Sequence, residues 1–526
     1  MARKKRRNGF ASSFGFIMAA AGSAVGLGNL WGFPYKAAKG GGAAFVIVYI
    51  ACVLLLGLVI MLTEMHIGKR AQANPVTAYK KAGKGLGWIG LLAVLIPFFI
   101  TCYYSVLGGW TVKYAMNSFG GNVAPELGNA GIVGNFSTNT LEVILFTAIF
   151  IILAIVVIRA GVEGGIEKMS KILMPALFVI LVGIVIYSLC LGEGVSEGLA
   201  FYMNPDFSKL TFDTVLTAMG QAFWSLSLGM GIMITYGSYT GKKINLVKST
   251  GMICLFDTLV AFLAGLAIFP AVAHFDPALL EGSKGVALIY IILPQVFGSM
   301  GVVGSIVSFF FFAMVVIAAL TSVISLMEVA TQFVIQKFKI SRKRAITVVA
   351  VLALVISIPI GMSLGQVAIA ENPNGISFFG MDLLTYFDEV TNTVLMPFCA
   401  LLACIVVGWV IKPKKAMEEM EEEGTKFAGW MKALYPIFVK FITPLLVIVV
   451  EVFGIYNKFT IEYVENQKAF LGVCITAGAL LAICIIVYFA LFANGETGTN
   501  ADELEANAMA NTETEKIPER VQSDNE

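Results

Sequence analysis

Charged side chains are scarce in this sequence of 526 residues. Lys, Arg, Asp and Glu together make up only 13% of it, while hydrophobic residues make up 58% and the mean hydropathy is +0.84. Soluble domains carry about one charged residue in four. The composition therefore excludes an ordinary soluble protein and indicates an integral membrane protein. The small net charge of +2 gives no reason to expect a nucleic-acid partner.

Paired cysteines are also missing. The eight cysteines all lie in apolar runs and form no CxxC pair. This distribution excludes a disulfide framework and a zinc site of the usual spacing, so we interpret the cysteines as small core residues. The sequence has neither an HExxH motif nor paired catalytic carboxylates. We therefore expect neither an intramembrane enzyme nor a resident cofactor.

Long hydrophobic runs, by contrast, recur along the chain. About 20 apolar residues cross a bilayer as a helix, and the longer runs should tilt. We expect an all-α membrane protein with twelve transmembrane helices, at roughly residues 10–37, 43–68, 87–117, 141–158, 170–191, 213–238, 247–273, 301–336, 345–364, 390–411, 436–456 and 468–492.

Basic residues are divided unequally between the two sets of loops. With the amino terminus inside the cell, 26 Lys and Arg residues fall on the cytoplasmic side and six outside. This excess predicts a multi-pass protein of the cell membrane with both termini cytoplasmic. The basic start MARKKRRNGF could also begin a secretory signal. Because the apolar character continues past any cleavage point, we interpret that start as a cytoplasmic anchor.

The runs and loops divide the chain into five parts. An external loop at 276–297 is too apolar to be only a connection, and we expect it to form short helices that cap the bundle. We expect the acidic run EEMEEEG to be a solvated cytoplasmic loop. The acidic carboxyl end has almost no apolar residues and should be disordered. The parts are a cytoplasmic segment (1–9), two groups of five helices (10–191 and 213–411), a last pair (436–492) and the tail (494–526).

The first run contains residues that break helices. AAAGSAVGLGNLWGFPYKA, residues 19–37, has four glycines and a proline between Gly22 and Pro34, and the sixth run has Gly229 and Gly231 near its middle. Because five spans leave the chain on the opposite side of the membrane, a second group of five would repeat the first in the inverted orientation. Irregular backbone survives in hydrocarbon only where protein or a cavity shields it. Matched breaks in two inverted halves predict a ligand site near the midplane, although such glycines could instead permit close helix packing.

Three segments resemble signature motifs of one known family. GSAVGLGNLWGFP in the first run, GQAFWSLSLGMG in the sixth and AALTSVISL in the eighth are similar to those of the neurotransmitter:sodium symporter family. The resemblance covers the first ten runs and extends to the last two. It implies the LeuT-type fold, a 5+5 inverted repeat with discontinuous helices 1 and 6 followed by helices 11 and 12, in the prokaryotic amino-acid transporter branch.

The resemblance also implies two sodium sites. Hard cations prefer oxygen ligands, and the eighth-run ligands would share one helix face, although a Thr-Ser pair is also common where membrane helices pack. The first site would use Ala24, Asn29, Ser225 and Asp257 together with the substrate carboxylate. The second would use Gly22, Val25, Ala318, Thr321 and Ser322.

Asp257 and Glu64 are acidic residues that lie within apolar runs. A charge at mid-bilayer costs about 2.5–3.5 kcal/mol even on the lenient insertion scale, so we expect Asp257 to be functional: a direct sodium ligand, a substitute for the chloride that many family members need, or both. Chloride is then not required. Glu64 resembles the buried family glutamate that braces the unwound backbone, although a helix-end charge near the cytoplasm is the alternative. His66 is expected to be structural.

The substrate class also follows from the resemblance. Tyr104 matches the tyrosine that holds a substrate carboxylate, with the amides of Leu27 and Gly28. Gly26 stands where amine transporters of the family carry aspartate, so we expect a substrate that brings its own carboxylate, a neutral hydrophobic or aromatic amino acid. The remaining lining residues are expected to be Ser23, Ala24, Ile100, Trp224, Ser225, Ser227, Met230, Ser322 and Leu326.

The gates depart from the family pattern. Gly32 replaces the arginine that pairs with an acidic residue of the tenth span, for which Asp388 is our candidate. We expect the outer gate to close by packing of Trp31 and of the pair Phe223–Trp224. Inside, Arg7 is present, but Gln336 stands where its acidic partner is expected.

These features predict a sodium-coupled symporter that imports its amino acid by alternating access. A substrate-gated channel or a transport-deficient amino-acid sensor on the same fold are the alternatives. The expected partners are the amino acid, two sodium ions and the lipid bilayer, and the sequence leaves a homodimer open. A glycosylation-like triplet at Asn135 lies in a short loop without cysteine, which favours a prokaryotic membrane.

Overall fold

The computed structural model describes residues 9–119, 136, 139–241, 244–277, 280, 288–363, 376–464 and 466–492. Within them the protein is almost entirely helical, and ten unbroken helices are long and apolar enough to cross a membrane. They are Ala43–Ala71, Gly87–Ser118, Thr140–Arg159, Val162–Leu189, Leu246–Phe275, Gly301–Phe338, Arg342–Ser363, Leu383–Ile411, Gly429–Glu462 and Gln467–Leu491.

Two further spans are interrupted. Ser13–Ala24 and Gly28–Lys39 meet at an angle of 55°. Phe212–Ser225 and Ile232–Ser238 are separated by residues 226–231. With these as the first and the sixth, we number the spans from one to twelve in chain order. The ten unbroken helices and the bent first pair give eleven candidate membrane spans among the described residues, which is roughly consistent with the expected twelve.

Short elements connect the spans. Their bounds are Pro75–Ala82, Val195–Met203, the 3₁₀ turn Phe207–Lys209, Leu288–Ile292 continuing as Leu293–Ser299, Pro413–Glu422, and two antiparallel strands, Ser377–Phe378 and Met381–Asp382, in which Phe378 lies opposite Met381. The last part of the expected capping segment is therefore helical, while 278–279 and 281–287 lie outside the described residues, as do the amino-terminal segment 1–8, Asn135 and the tail.

The expectation of a solvated loop at EEMEEEG is wrong. Residues Pro413–Glu422 form a helix. Glu419 on this helix lies 3.0 Å from Nε of Arg70 and 3.4 Å from Nε2 of His66, both on the second span. Contacts with distant residues, which the local composition does not reveal, therefore fix this helix against the bundle.

Several spans begin before their apolar part. The tenth starts at Leu383 rather than near 390, because the side chain of Asp382 accepts a hydrogen bond from Thr385 N (2.8 Å) and caps the helix. The fifth and eleventh also begin earlier than expected, at Val162 and Gly429, although no side chain caps either start. Hydropathy marks the membrane-crossing part of a helix and does not fix the residue at which the helix begins.

The interpretation of the cysteines as core residues holds for most of them. All eight are free, and Cys52, Cys102, Cys254, Cys399, Cys404 and Cys484 are buried. Cys474 is half-buried. Cys190 is exposed at the end of the fifth span, so for this residue the interpretation is wrong.

The break in the sixth span depends on its glycines. Gly229 and Gly231 have φ angles of +74° and +66°, which side chains other than glycine rarely adopt. A Cβ atom at Gly229 would lie 2.2 Å from the carbonyl oxygen of Met396, and one at Gly231 would lie 2.5 Å from that of Ala93. Both the turn and the close approach of the third and tenth spans therefore require glycine here.

The interrupted spans lie inside the bundle. The first half of the first span packs against the fifth, seventh and eighth spans, and the two halves of the sixth pack against the second. The third span runs along the eighth. Surrounding helices thus shield the irregular backbone, as hydrocarbon requires.

Candidate substrate and sodium site

The two breaks enclose a cavity at the centre of the bundle. The space between atoms there, counted together with the part open to solvent, is about 340 Å³. Every residue expected to contact the substrate lines it. The lining consists of Ser23, Ala24, Gly26, Leu27, Gly28, Asn29, Ile100, Tyr104, Trp224, Ser225, Ser227, Met230, Ile232, Ser322, Ser325 and Leu326.

One end of the cavity presents backbone amides and a phenol. The amide of Leu27 donates to the hydroxyl of Tyr104 (3.2 Å). A Cβ atom at Gly26 would lie 2.9 Å from that hydroxyl and 2.7 Å from Oγ of Ser322. This end can therefore receive a carboxylate from a ligand, but it has no room for an aspartate side chain at position 26.

Beside this end lies a cluster of oxygens around Asn29. The amide nitrogen Nδ2 of Asn29 lies 2.9 Å from Ser225 Oγ, 2.8 Å from Asp257 Oδ1 and 3.2 Å from the Asp257 carbonyl oxygen. Its Oδ1 accepts from Gly26 N (3.1 Å), which ties the cluster to the first break. Tyr49 donates to Asp257 Oδ2 (3.0 Å). Four of these five residues were expected in or beside the site, and Tyr49 was not.

The oxygen atoms of this cluster could coordinate a hard cation. Three oxygens converge on the single NH₂ group of Asn29, and Ser225 Oγ lies within 2.9 Å of both carboxylate oxygens of Asp257. Such a concentration of oxygen acceptors, one of them ionisable, is the kind of ligand set that hard cations prefer. Ala24 also lines the cavity.

The structure brings the expected ligands of the second sodium site together. Ser322 Oγ lies 3.4 Å from the carbonyl oxygen of Val25, and Thr321 Oγ1 lies 3.1 Å from that of Ala318. A Cβ atom at Gly22 would lie 3.2 Å from Cβ of Thr321. These five residues join the end of the first half-helix to one face of the eighth span.

Two contacts hold the unwound stretches. Oε1 of Glu64 accepts a hydrogen bond from Gly229 N (3.0 Å), and Ser227 Oγ donates to the carbonyl of Ser23 (3.0 Å). Glu64 is only 1% exposed, so it is not a solvated charge at a helix end. The second contact joins the first and the sixth spans directly.

Sequence reasoning missed two lining residues, Ile232 and Ser325. Ser325 Oγ lies 2.7 Å from Ser23 Oγ and donates to the carbonyl of Ser322 (2.7 Å). Its position three residues after Ser322 places it on the same helix face, so helical spacing could have identified it.

At the expected outer end, aromatic rings pack near the cavity. Trp31 lies edge-on to Tyr290, with ring centroids 6.4 Å apart. The indole of Trp224 lies against Gly28, within 2.4 Å of the point that a Cβ atom would occupy there. Phe223 is buried beside it, at 2% exposure.

Asp388 also lies at this end. Its carboxylate accepts a hydrogen bond from Asn392 Nδ2, which in turn lies 3.1 Å from the hydroxyl of Tyr103. Within the described residues Asp388 forms no ion pair.

At the opposite end, an unexpected acidic residue takes part in the contacts. Gln336 accepts hydrogen bonds from Asn74 N (2.9 Å) and Nδ2 (2.7 Å), whereas Arg7 lies outside the described residues. Glu328, which is fully buried, accepts from the hydroxyl of Tyr239 (2.7 Å) and pairs with Nη2 of Arg342 (2.5 Å). Sequence reasoning missed Glu328, although an acidic residue within the apolar eighth run was a signal that could have identified it.

A further carboxylate holds the start of the first span. Oε2 of Glu167 accepts from Ala11 N (2.6 Å), while Oε1 accepts from Ser12 Oγ (2.8 Å) and pairs with Lys171 Nζ (2.5 Å). Ser12 Oγ in turn accepts from Gly15 N (3.0 Å) and caps the helix.

Known proteins resemble this chain over most of its length. The family model described as the sodium:neurotransmitter symporter family matches residues 7–130 and 131–494. The sodium-dependent transporter YhdH of Bacillus subtilis is 33% identical over 450 residues, which cover 84% of this chain and 96% of that protein. A sodium-dependent transporter of Haemophilus influenzae is 32% identical over 470 residues, covering 86% and 99%.

A solved structure is also similar. The crystal structure of MhsT in complex with L-phenylalanine aligns with a TM-score of 0.76 at 37% identity and covers 85% of this chain and 99% of that one. This similarity confirms the LeuT-type fold, which is the fold of a secondary transporter and not of an enzyme. Together with the matches to sodium-dependent transporters, it shows that the chain belongs to the sodium:neurotransmitter symporter family.

Proposed function

We propose that this protein is a sodium-coupled symporter that imports a neutral hydrophobic or aromatic amino acid by alternating access, in the cell membrane with both termini cytoplasmic. The observation that carries the proposal is the contact between the unwound stretch of the sixth span and the end of the first half-helix, Ser227 Oγ to the Ser23 carbonyl at 3.0 Å, beside a cavity with an oxygen-rich end. Exposed carbonyls attract a cation, and the start of a half-helix attracts an anionic group.

The substrate carboxylate binds where Tyr104, Leu27 and Gly28 converge. The second half-helix of the first span begins at Gly28, so its positive end faces this group. The side chain occupies the part of the cavity lined by Ile100 and Met230. Among the described residues that line the cavity, none carries a charged side chain, and burying an unpaired charge there would be costly. This favours a neutral amino acid, as does the similarity to MhsT, which was solved with L-phenylalanine.

Two sodium ions drive the cycle. The first binds Ala24, Asn29, Ser225 and Asp257 together with the substrate carboxylate, which couples the two solutes by direct contact. The second binds Gly22, Val25, Ala318, Thr321 and Ser322. The carboxylate of Asp257 supplies the negative charge near the first ion, so transport needs no chloride.

The test is uptake of labelled phenylalanine, leucine, tyrosine and tryptophan into proteoliposomes. One charge crossing about 100 mV releases about 2.3 kcal/mol, so two sodium ions can concentrate a neutral substrate about a thousandfold or more. We expect accumulation with an inward sodium gradient and none with potassium. Single-channel currents would instead identify a channel, and sodium-dependent binding without uptake would identify a sensor.

A further inference from the structure

An ammonium group lies at the junction of the tenth and eleventh spans. Lys440 belongs to the apolar stretch FVKFITPLL of the eleventh span and is half-buried. Its Nζ lies 4.5 Å from the ring centroid of Trp409 on the tenth span and 5.3 Å from that of Phe441. A cation within about 6 Å of a ring centroid is attracted to the face of the ring. The two rings therefore hold the ammonium group in place.

Close packing of the two spans creates this arrangement. Each span contains a π-helical turn here, Val406–Ile411 in the tenth and Phe438–Ile442 in the eleventh, and such turns are frequent at functional sites. A Cβ atom at Gly408 would lie 3.1 Å from the carbonyl oxygen of Val439 and 3.2 Å from Cα of Lys440. The absence of a side chain at Gly408 thus lets the backbone of Lys440 approach the tenth span.

The two rings lie on the outer surface of the bundle. Trp409 and Phe441 are both exposed and lie edge-on, with ring centroids 5.8 Å apart. The tenth span ends at Ile411, and Lys412 beyond it is exposed. The rings are therefore within one turn of the end of this span, at the depth where hydrocarbon meets the lipid headgroups and where tryptophan is enriched.

Lys440 has no counter-ion within the part of the chain that the structure describes. Its contacts there are the two rings, and it forms neither an ion pair nor a hydrogen bond. Two acids of the neighbouring helix Pro413–Glu422 are paired with other cations, Glu419 with Arg70 (3.0 Å) and Glu421 with Lys432 (2.6 Å). A lysine in a membrane span ordinarily pairs with another group or reaches the interface. We therefore expect its counter-ion to come from outside the chain.

We propose that Lys440 binds the phosphate group of an anionic phospholipid, while Trp409 and Phe441 contact the upper part of its acyl chains. The site lies at the end of the bundle that the proposed orientation places in the cytoplasm. Anionic lipids give the cytoplasmic leaflet a negative surface potential that attracts lysine and arginine near the membrane.

The surroundings of Lys440 favour this ligand over others that carry phosphate. Three exposed lysines directly follow the tenth span: Lys412, Lys414 and Lys415. They favour a headgroup with net negative charge over a zwitterionic one, whose own cation would lie among them. Free phosphate has no acyl chains to cover the exposed rings. The occupant is therefore a lipid rather than a soluble anion.

The experiment is native mass spectrometry of the full-length protein in detergent, titrated with phosphatidylglycerol. Lys440→Met should weaken binding of the first lipid about tenfold, the size expected for loss of a hydrogen bond to a charged group. Lys440→Arg should keep most of the affinity, because arginine also binds phosphate. The matched control is Lys432→Met on the same span, which removes an ammonium group that is already paired with Glu421. It should bind the lipid like the unaltered protein.

Trp409→Ala tests the site without removing its charge. Loss of the ring should weaken binding of the lipid about threefold, the size of a cation–π contact at an exposed site. The control is Trp430→Ala, at another exposed tryptophan, and it should change nothing. If Lys440→Met does not fold, this pair of variants decides the question.

Several results would overturn the proposal. Equal affinity of Lys440→Met and the unaltered protein would remove the role of Lys440, and an equal loss in Lys432→Met would show a general attraction between charges. Phosphatidylcholine that binds as tightly as phosphatidylglycerol, or displacement of the lipid by excess inorganic phosphate, would exclude the proposed ligand. The measurement needs neither sodium nor uptake, so its outcome is independent of the proposed transport function.

Discussion

The hydroxyl of Tyr49 donates to Oδ2 of Asp257 across 3.0 Å, and both side chains are fully buried. Ser225 and Asn29 supply further hydrogen bonds to the same carboxylate. Among the described residues, polar groups rather than a cationic side chain surround this acid. A buried carboxylate without a cation attracts one, and the proposed first sodium ion would fill that role.

Asp257→Asn tests this role, because it keeps the shape of the side chain and removes its charge. We expect the sodium concentration for half-maximal uptake to rise about tenfold, the size expected for loss of a charged ligand. Uptake should also become stimulated by chloride, since an anion can replace the missing charge. The measurement is the sodium dependence of uptake in chloride and in gluconate. The control is Asp213→Asn, at an exposed residue that contacts Asn457, and unchanged behaviour of Asp257→Asn in gluconate would contradict the assignment.

Thr321→Val tests the second sodium site. Valine has the shape of threonine without its oxygen, so the half-maximal sodium concentration should rise about fivefold, or about 1 kcal/mol. Thr331→Val on the same helix is the matched control, because the buried Thr331 hydroxyl has no hydrogen-bond partner among the described residues. Equal sodium affinities of the two variants would exclude Thr321 as a ligand.

Glu64→Leu should destabilise the break in the sixth span. The change leaves the amide of Gly229 without its acceptor, which should lower the free energy of unfolding by about 1–3 kcal/mol. Glu64→Gln keeps an acceptor oxygen and should lose less than half as much. Thermal unfolding in detergent measures both, and equal losses would show that the contact with Gly229 contributes nothing.

Arg342→Ala should strongly destabilise the end of the bundle that contains Glu328. Removing one partner of a buried ion pair typically costs about 3–5 kcal/mol, because the remaining carboxylate stays buried without its cation. The variant should unfold at lower temperature or show faster proteolysis near Tyr239. Lys343→Ala, at the exposed neighbouring position, is the control and should behave like the unaltered protein.

The helix Pro413–Glu422 should show a pH-dependent attachment. The nearby His66 ring, whose Nε2 lies 3.4 Å from the carboxylate, and then the charge of Arg70 lower the pKa of Glu419 below its ordinary value. A depressed pKa means that the contribution, about 1 kcal/mol for a partly exposed pair, is present at neutral pH. It is lost as the pH falls from the ordinary carboxylate pKa through the lowered one.

Glu419→Gln measures this contribution. The variant should be less stable than the unaltered protein at pH 7, and the difference should shrink as the pH approaches 4. Glu418→Gln, at an exposed neighbour, should show no such difference. A stability gap for Glu419→Gln that grows in acid would contradict the assigned sign.

Local sequence predicted the features that local chemistry determines. Glycines and a proline in apolar runs predicted both breaks, whereas the resemblance to the family's motifs, rather than local chemistry, predicted most of the cavity lining. Tyr49 and Glu328 were missed because their roles arise from contacts across the fold: Tyr49 meets Asp257, which lies 208 positions later in the chain. A tyrosine in an apolar helix is ordinarily a packing residue, and only the fold reveals its partner.

The interpretation of Gln336 shows the same limit. The comparison with the family considered only whether position 336 is acidic, whereas the structure places a buried acid at Glu328, paired with Arg342. An acidic residue several turns away on the same helix can lie at the same interface between helices. A comparison made position by position therefore detects that position 336 lacks an acid, but does not detect the acid at position 328.

The hydrogen bonds between Glu167 and the start of the first span have a consequence for how this helix end is released. One carboxylate holds the Ala11 amide, the capping hydroxyl of Ser12 and the amine of Lys171. A half-detached first span would lose the two bonds to Ala11 and Ser12 while gaining little freedom of movement, so partly released states are scarcely populated. Release of this helix end should therefore be a two-state transition, with a single exponential relaxation between the bound and the released state.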